Sequence, residues 1–78
     1  NRIWTSAKRL LKEHVPDHTY RMWIDPIACC DSEGDTVVLA CPNLFSKRRV
    51  WDQYRRAIED AVAQAAGQPR AIRLVVQS

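Results

Sequence analysis

The feature of this chain that most constrains its fold is a strand-to-helix junction at Pro42 and Asn43. It joins the apolar, β-branched run Thr36–Cys41 to a helical pattern that continues to Ala66. Pro42 ends the strand because it has no N–H for a sheet ladder, and Asn43 is a favoured helix N-cap. Phe45 then falls in the first helical turn, where a core does not obviously require a large aromatic side chain. The junction therefore fixes part of the fold and suggests a surface for recognition.

Length and composition indicate one small globular domain covering residues 1–78. The chain has 46% hydrophobic and 27% charged residues and a net charge of +3, values typical of a globular module rather than a disordered tail. No apolar run approaches the roughly 18 residues needed to cross a bilayer, and the first residues lack the pattern of a signal peptide. We therefore expect a cytoplasmic protein that makes no membrane contact.

Hydrophobic periodicity predicts an α+β fold with the element order α-α-β-β-α-β, in which helices pack on a three-stranded sheet. Asp17 is expected to cap the second helix, Gly67 to end the third, and Ser32–Asp35 to form the turn between the first two strands. The first two helices are predicted at 2–15 and 17–24, and the third follows the cap Asn43 and continues to Ala66. The strands are predicted at 27–30, 36–41 and 71–76.

The cysteines are predicted to be reduced thiols that pack as small apolar residues. There are three, an odd number that argues against a disulfide framework. If residues 26–31 and 36–41 pair about Glu33-Gly34, Cys29 lies opposite Val38 and Cys41 lies opposite Pro26, so the two thiols do not meet.

The sequence offers little for catalysis or for a cofactor. No Cys-x-x-Cys pair accompanies His14 and His18, so we expect no metal site. These histidines, with Asp17 between them, are explained more simply by a helix end than by an active site. Only two glycines are present, and they form no phosphate-binding loop. We expect neither enzymatic activity nor a cofactor in this domain.

Several motifs in order carry a resemblance to a known family, over nearly the whole chain. These motifs are Ile3-Trp4, Tyr20-x-x-Trp23-Ile24-x-Pro26-Ile27, Pro42-Asn43-x-Phe45, Val50 and Tyr54. With these spacings the chain resembles the N-terminal domain, domain I, of the bacterial chromosomal replication initiator DnaA.

The resemblance implies a fold similar to a type II KH domain and a function in protein interaction during DNA replication. Domains of this family self-associate, recruit the replicative helicase, dock regulatory proteins and contact single-stranded DNA weakly. The initiators continue into an AAA+ ATPase, where ATP is expected, and into a helix-turn-helix domain. Neither region is present in these 78 residues. The equivalent domain of another replication protein is an alternative source.

The resemblance also assigns site residues. Phe45 matches the aromatic linked to helicase contact, although a contact that closes the start of its own helix is an alternative. Trp4, with Ile3, matches the self-association position. The alternative is that Trp4 folds back on its helix and the sheet. Thr19 stands where several family members carry an acidic residue implicated in helicase binding, so Asp17 is a candidate substitute.

A second function, weak binding of single-stranded nucleic acid, rests on the basic residues after Phe45. Lys47, Arg48, Arg49 and Arg55 are its candidate contacts, although Arg49 is equally a candidate for a protein partner. The helical spacing of Tyr20, Trp23 and Tyr54 favours core packing over base stacking, while the position of Trp51 is less settled. The Gly-x-x-Gly loop of KH domains that clamp nucleic acid is absent from the sequence.

Overall fold

The predicted order of elements is confirmed by a computed structural model, which describes residues 2–30 and 34–77. The second and third helical stretches each contain a π-helical segment, Tyr20–Ile24 and Val50–Tyr54. The α-helices are α1 (Arg2–His14), α2 (Asp17–Thr19), α3 (Leu44–Arg49) and α4 (Arg55–Ala66), and the strands are β1 (Ala28–Cys29), β2 (Thr36–Cys41) and β3 (Ala71–Val76). No helix among the described residues is both long enough and apolar enough to cross a membrane.

The three strands form one mixed sheet with β2 in the centre, as the predicted α+β fold requires. β1 runs antiparallel to β2, and β3 runs parallel to it with Thr36 opposite Ala71 and Cys41 opposite Val76. Because parallel strands need a long crossover connection, α3, the π-helical segment and α4 together supply it. The predicted likeness to a type II KH domain remains a prediction.

The register predicted for the first two strands is wrong by one residue. Cys29 lies opposite Leu39 rather than Val38, and Ala28 lies opposite Ala40. Turn geometry sets this register, and a turn one residue longer or shorter changes every pair. Of the predicted turn, Ser32 and Glu33 lie outside the described residues, while Gly34 has a φ of 56° that favours glycine.

Trp4 is part of the core, as in the alternative in which it folds back on its helix and the sheet. Its side chain is 4% exposed, and its indole N–H donates a hydrogen bond of 3.2 Å to the carbonyl oxygen of Ile27. It packs in one cluster with Leu11 of α1, Leu39 of β2 and Ile58 of α4. The indole fills space between α1 and the chain that enters β1, so it offers no exposed anchor, and a role of Trp4 in self-association stays a prediction.

Asp17 does not cap the second helix as predicted. The capping position is Pro16, and Asp17 is already the first helical residue. Its carboxylate accepts a hydrogen bond of 2.6 Å from the Arg21 guanidinium one turn later. Pro16 has φ of −57° and ψ of 147°, and no side chain accepts a hydrogen bond at this helix start. Asp17 therefore lies one residue past the capping position.

The junction after β2 has the predicted capping geometry. Asn43 has extended backbone angles, and its Oδ1 accepts a 2.8 Å hydrogen bond from the backbone N–H of Ser46. At the other end of this long helical stretch, Gly67 adopts the left-handed conformation, with φ of 78°, that terminates a helix. Both ends of the stretch therefore fall where the sequence places them, and Phe45 lies in its first turn.

Candidate partner-binding surfaces

Phe45 is exposed and is held in place by an aromatic side chain from another element. Its side chain is 65% exposed. The ring meets that of Trp23, in the π-helical segment after α2, edge to face with 5.8 Å between centroids and 62° between planes. Such pairs contribute about 0.5–1.5 kcal/mol beyond burial, so the contact restrains Phe45 without covering it.

Arg49 completes this surface from one turn further along α3. Its guanidinium carbon lies 5.1 Å from the centroid of the Trp23 ring, within the range of a cation–π contact. We call Trp23, Phe45 and Arg49 the aromatic cluster. Tryptophan and arginine are enriched among the residues that dominate binding energy at protein interfaces. An exposed phenyl ring fixed between them is an apolar anchor with a cation beside it.

Asp17 and Thr19 lie in α2, which leads into the segment that carries Trp23. Asp17 is exposed, and its charge is engaged by Arg21 at 2.6 Å. The Thr19 hydroxyl is 3.5 Å from Nε2 of His18. Asp17 and Thr19, which are predicted to contact a partner protein, therefore each interact with a side chain close by in the sequence. Phe45 and Arg49 instead both contact Trp23.

A second surface lies on another side of α3, next to β3. It is an open groove of about 730 Å³, which we call the β3 groove. The helical wall is a single stripe at spacings of three and four residues. The lining residues are Leu44, Lys47, Arg48, Trp51 and Asp52 on the helical stretch and Ile72, Arg73 and Leu74 on β3.

The structure divides the four predicted nucleic-acid contacts between these surfaces. Lys47 and Arg48 line the β3 groove, and the guanidinium carbon of Arg55 stacks 4.6 Å from the centroid of the Trp51 ring. Arg49 instead belongs to the aromatic cluster. Arg49 therefore lies on a different surface from Lys47 and Arg48.

In the part of the chain that the structure describes, the cysteines and histidines belong to no group that could bind a metal ion. Cys41 is a buried thiol and Cys30 an exposed one. The Cys29 thiol donates a hydrogen bond of 3.2 Å to the carbonyl oxygen of Cys30. Burial raises the pKa of the Cys41 thiol above its ordinary value, an effect that the nearby Lys47 only partly opposes, so Cys41 stays protonated near neutral pH. Burial also raises the pKa of Tyr20, with a smaller contribution from Asp25. Within residues 2–30 and 34–77, no group of three His, Cys, Asp or Glu side chains could hold a metal ion.

Sequence reasoning missed the surface role of two aromatics. Trp23 has the helical spacing of a core residue and does pack against the core, but its remaining face holds Phe45 and Arg49. Trp51 is 41% exposed and lines the β3 groove. The signal for Trp51 was its offset from the apolar stripe. The sequence carried no comparable signal for Trp23.

The fold and these surfaces define a class of protein, a small α+β domain with an exposed aromatic anchor and a basic groove suited to binding. A sequence profile of the family described as "DnaA N-terminal domain" matches residues 1–64. The chain belongs to this family.

Curated relatives agree with that assignment. The chain is 42% identical over 74 residues to the chromosomal replication initiator protein DnaA of Desulfatibacillum aliphaticivorans, an alignment that covers 95% of the chain and 16% of the relative. It is 35% identical over 65 residues to the DnaA of Citrifermentans bemidjiense, covering 83% of the chain and 14% of that protein. The chain thus corresponds to about one sixth of the length of these initiators.

A solved structure has the same fold. It is the crystal structure of a HobA–DnaA (domain I–II) complex from Helicobacter pylori, and the match has a TM-score of 0.83 over 100% of both chains. The sequences are 17% identical, so this likeness concerns the fold alone. It confirms that the α+β arrangement described above is that of a DnaA domain I.

Proposed function

We propose that this domain is the protein-interaction module of a bacterial replication initiator, and that it recruits the replicative helicase and regulatory proteins at the origin. The observation that carries the proposal is Phe45, which is 65% exposed yet held by Trp23. Leaving a large apolar ring in water has a cost, which a partner removes by covering it. The crystallised HobA–DnaA complex supports a use of this fold in binding proteins.

The aromatic cluster suits a helicase surface that offers an apolar pocket beside acidic groups. The phenyl ring supplies burial, and Arg49 supplies a directional positive charge next to it. Because Arg49 is already stacked on Trp23, less side-chain entropy is lost on binding. Thr19 and Asp17 are additional contacts in this proposal, because their helix α2 leads directly into the segment that carries Trp23. The proposal assigns the domain no catalytic role.

The substitution Phe45→Ala tests the proposal. Losing a central aromatic anchor costs about 2 kcal/mol of binding free energy, or roughly 30-fold in affinity for the replicative helicase. Isothermal calorimetry measures this change, and circular dichroism checks that the fold is intact. Leu44→Ala is a matched control. Leu44 is adjacent to Phe45 and is 56% exposed, but it lines the β3 groove instead of the aromatic cluster. Equal affinities for Phe45→Ala and the unaltered chain would contradict the proposal.

Self-association belongs to the proposed function, but its surface does not use an exposed Trp4. Ile3 is partly buried against the core, next to the fully packed Trp4. In this proposal a second chain therefore contacts α1 through side chains near Ile3 and Trp4, and not through the Trp4 indole. ATP is expected in the AAA+ region of the initiators, and the match with this chain covers only 16% of such a relative.

Weak binding of single-stranded DNA is the alternative function. The cations that line the β3 groove support it, and the separation of Arg49 from Lys47 and Arg48 counts against a single phosphate track. Binding through phosphates falls steeply as salt rises. Fluorescence anisotropy with an oligothymidine at low salt would detect it, and charge reversal at Arg48 would abolish it.

A further inference from the structure

β3 is an edge strand whose outer side faces the β3 groove. Among the described strands it pairs with β2 alone, on one side. Three consecutive residues of β3, Ile72–Leu74, line the groove, although their side chains alternate between the two faces of the sheet. A cavity that touches residues from both faces lies against the edge of the strand. The groove is therefore positioned over backbone as well as side chains.

The direction of the backbone groups on β3 follows from one hydrogen bond. The N–H of Gln77 donates to the carbonyl oxygen of Cys41 on β2 at 2.8 Å. Polar backbone groups alternate between the two sides of a strand, so those of Val75 and Arg73 also face β2. The N–H and C=O groups of Ile72, Leu74 and Val76 then face the free edge. These are the groups with which an added strand would pair.

The side chains around the edge are apolar and basic. Leu44 and Trp51 are 56% and 41% exposed, and they supply apolar surface on the helical wall. Lys47 and Arg48 from the same wall and Arg73 from β3 place three positive charges around it, against one acidic lining residue, Asp52. The groove therefore complements a negatively charged ligand that carries apolar side chains.

We propose that the β3 groove binds an extended acidic segment of a partner protein, which adds to the free edge of β3 as a fourth strand. Strand addition supplies main-chain hydrogen bonds, and alternate side chains of the segment give selectivity. Apolar side chains pack on Leu44 and Trp51, and acidic ones meet Lys47, Arg48 and Arg73. A single-stranded nucleic acid would satisfy the cations but not the outward N–H and C=O groups. The inference concerns a surface separate from the aromatic cluster and does not rest on the proposed function.

Hydrogen exchange with a probe peptide tests the strand addition. The probe is a short capped peptide that alternates glutamate with valine, added to the 78-residue chain. We expect the amides of Ile72, Leu74 and Val76 to exchange fast in the free protein and to slow on binding. Those of Arg73 and Val75, already directed at β2, serve as internal controls and change little. The same peptide N-methylated at alternate residues lacks the donors and is expected to bind at least about tenfold more weakly.

Substitutions in the groove test its charge and its edge. Arg48→Glu is expected to weaken the peptide at least about tenfold, and the effect shrinks as salt rises. Arg56→Glu is the matched control, since Arg56 is an exposed cation in α4 outside the groove lining. Val76→Pro removes the backbone N–H of Val76 from the free edge of β3, a position where proline is tolerated. Val76→Ala is its control, because it removes the valine side chain but keeps the N–H. Circular dichroism verifies each fold.

Three results would overturn the proposal. One is the absence of saturable binding by the glutamate–valine peptide at low salt. Another is a lack of charge selectivity, seen either as equal binding by a peptide with lysine in place of glutamate or as equal effects of Arg48→Glu and Arg56→Glu. The third is binding of an oligothymidine that depends on Arg48 while the peptide leaves the β3 amides unprotected, which would make the groove a nucleic-acid surface.

Discussion

At the scale of single residues, two tryptophans have roles that their sequence positions alone do not separate. Trp4 and Trp23 both lie beside apolar helical stripes. Trp4 directs its indole N–H inward to Ile27, whereas Trp23 keeps a face for Phe45 and Arg49. The difference depends on which element packs over each ring, and that is a tertiary property. Sequence could therefore propose Phe45 as a site residue, but not the side chain that supports it.

Trp4→Ala is expected to destabilise the domain rather than merely to weaken self-association. The substitution empties a large buried volume and leaves the carbonyl of Ile27 without its donor. Truncating a buried aromatic costs about 3–5 kcal/mol, a large part of the stability of a domain this small. Urea denaturation followed by circular dichroism measures the loss.

Trp4→Phe is the control for this substitution, because it keeps most of the apolar volume and removes only the indole donor. We expect it to remain folded with a smaller loss of stability and an unchanged sedimentation coefficient. A Trp4→Ala variant with the stability of the unaltered chain, but shifted toward monomer, would show that the indole belongs to an interface.

At the scale of elements, the junction after β2 follows closely from the sequence. Pro42 and Asn43 act locally, through a missing N–H and a side-chain acceptor, so their effects do not depend on distant packing. The second helix was predicted less well. Pro16 occupies the capping position in place of Asp17, and the second and third helical stretches each contain a π-helical segment. Apolar periodicity hardly distinguishes a π turn from an α turn, so these could not be predicted.

Asn43→Ala tests the local origin of the junction. The substitution removes the 2.8 Å hydrogen bond to the N–H of Ser46, and loss of such a cap costs about 1 kcal/mol. Thermal denaturation is expected to register a lower midpoint, while Asn43→Asp, which retains an acceptor, stays close to the unaltered chain. Equal midpoints for the alanine and aspartate variants would mean that packing alone fixes the start of α3.

At the scale of the whole molecule, one long helical stretch serves two surfaces. Phe45 and Arg49 face Trp23, while Leu44, Lys47 and Arg48 face β3. The sequence predicted the α+β order and the apolar stripes, because these depend on periodicity. It could not predict that neighbouring cations would separate, since that depends on where α3 lies between the second helical stretch and the sheet. Two different sides of one helical stretch therefore carry the two surfaces.

The three tryptophans give each region of the molecule its own reporter. Trp4 lies in the core, Trp23 in the aromatic cluster and Trp51 in the β3 groove. Their indole N–H signals can be followed by nuclear magnetic resonance in one spectrum, after assignment with single Trp→Phe variants. A partner that covers one surface perturbs one of these signals more than the others.

The most direct test of the central claim, that Phe45 and its cluster form the partner-binding surface, is this spectrum during graded, substoichiometric additions of the replicative helicase. We predict that the Trp23 indole signal shifts or broadens first, that those of Trp4 and Trp51 change less, and that Phe45→Ala removes the difference. A titration that leaves Trp23 unperturbed while the helicase binds, or that perturbs Trp51 instead, would contradict the claim.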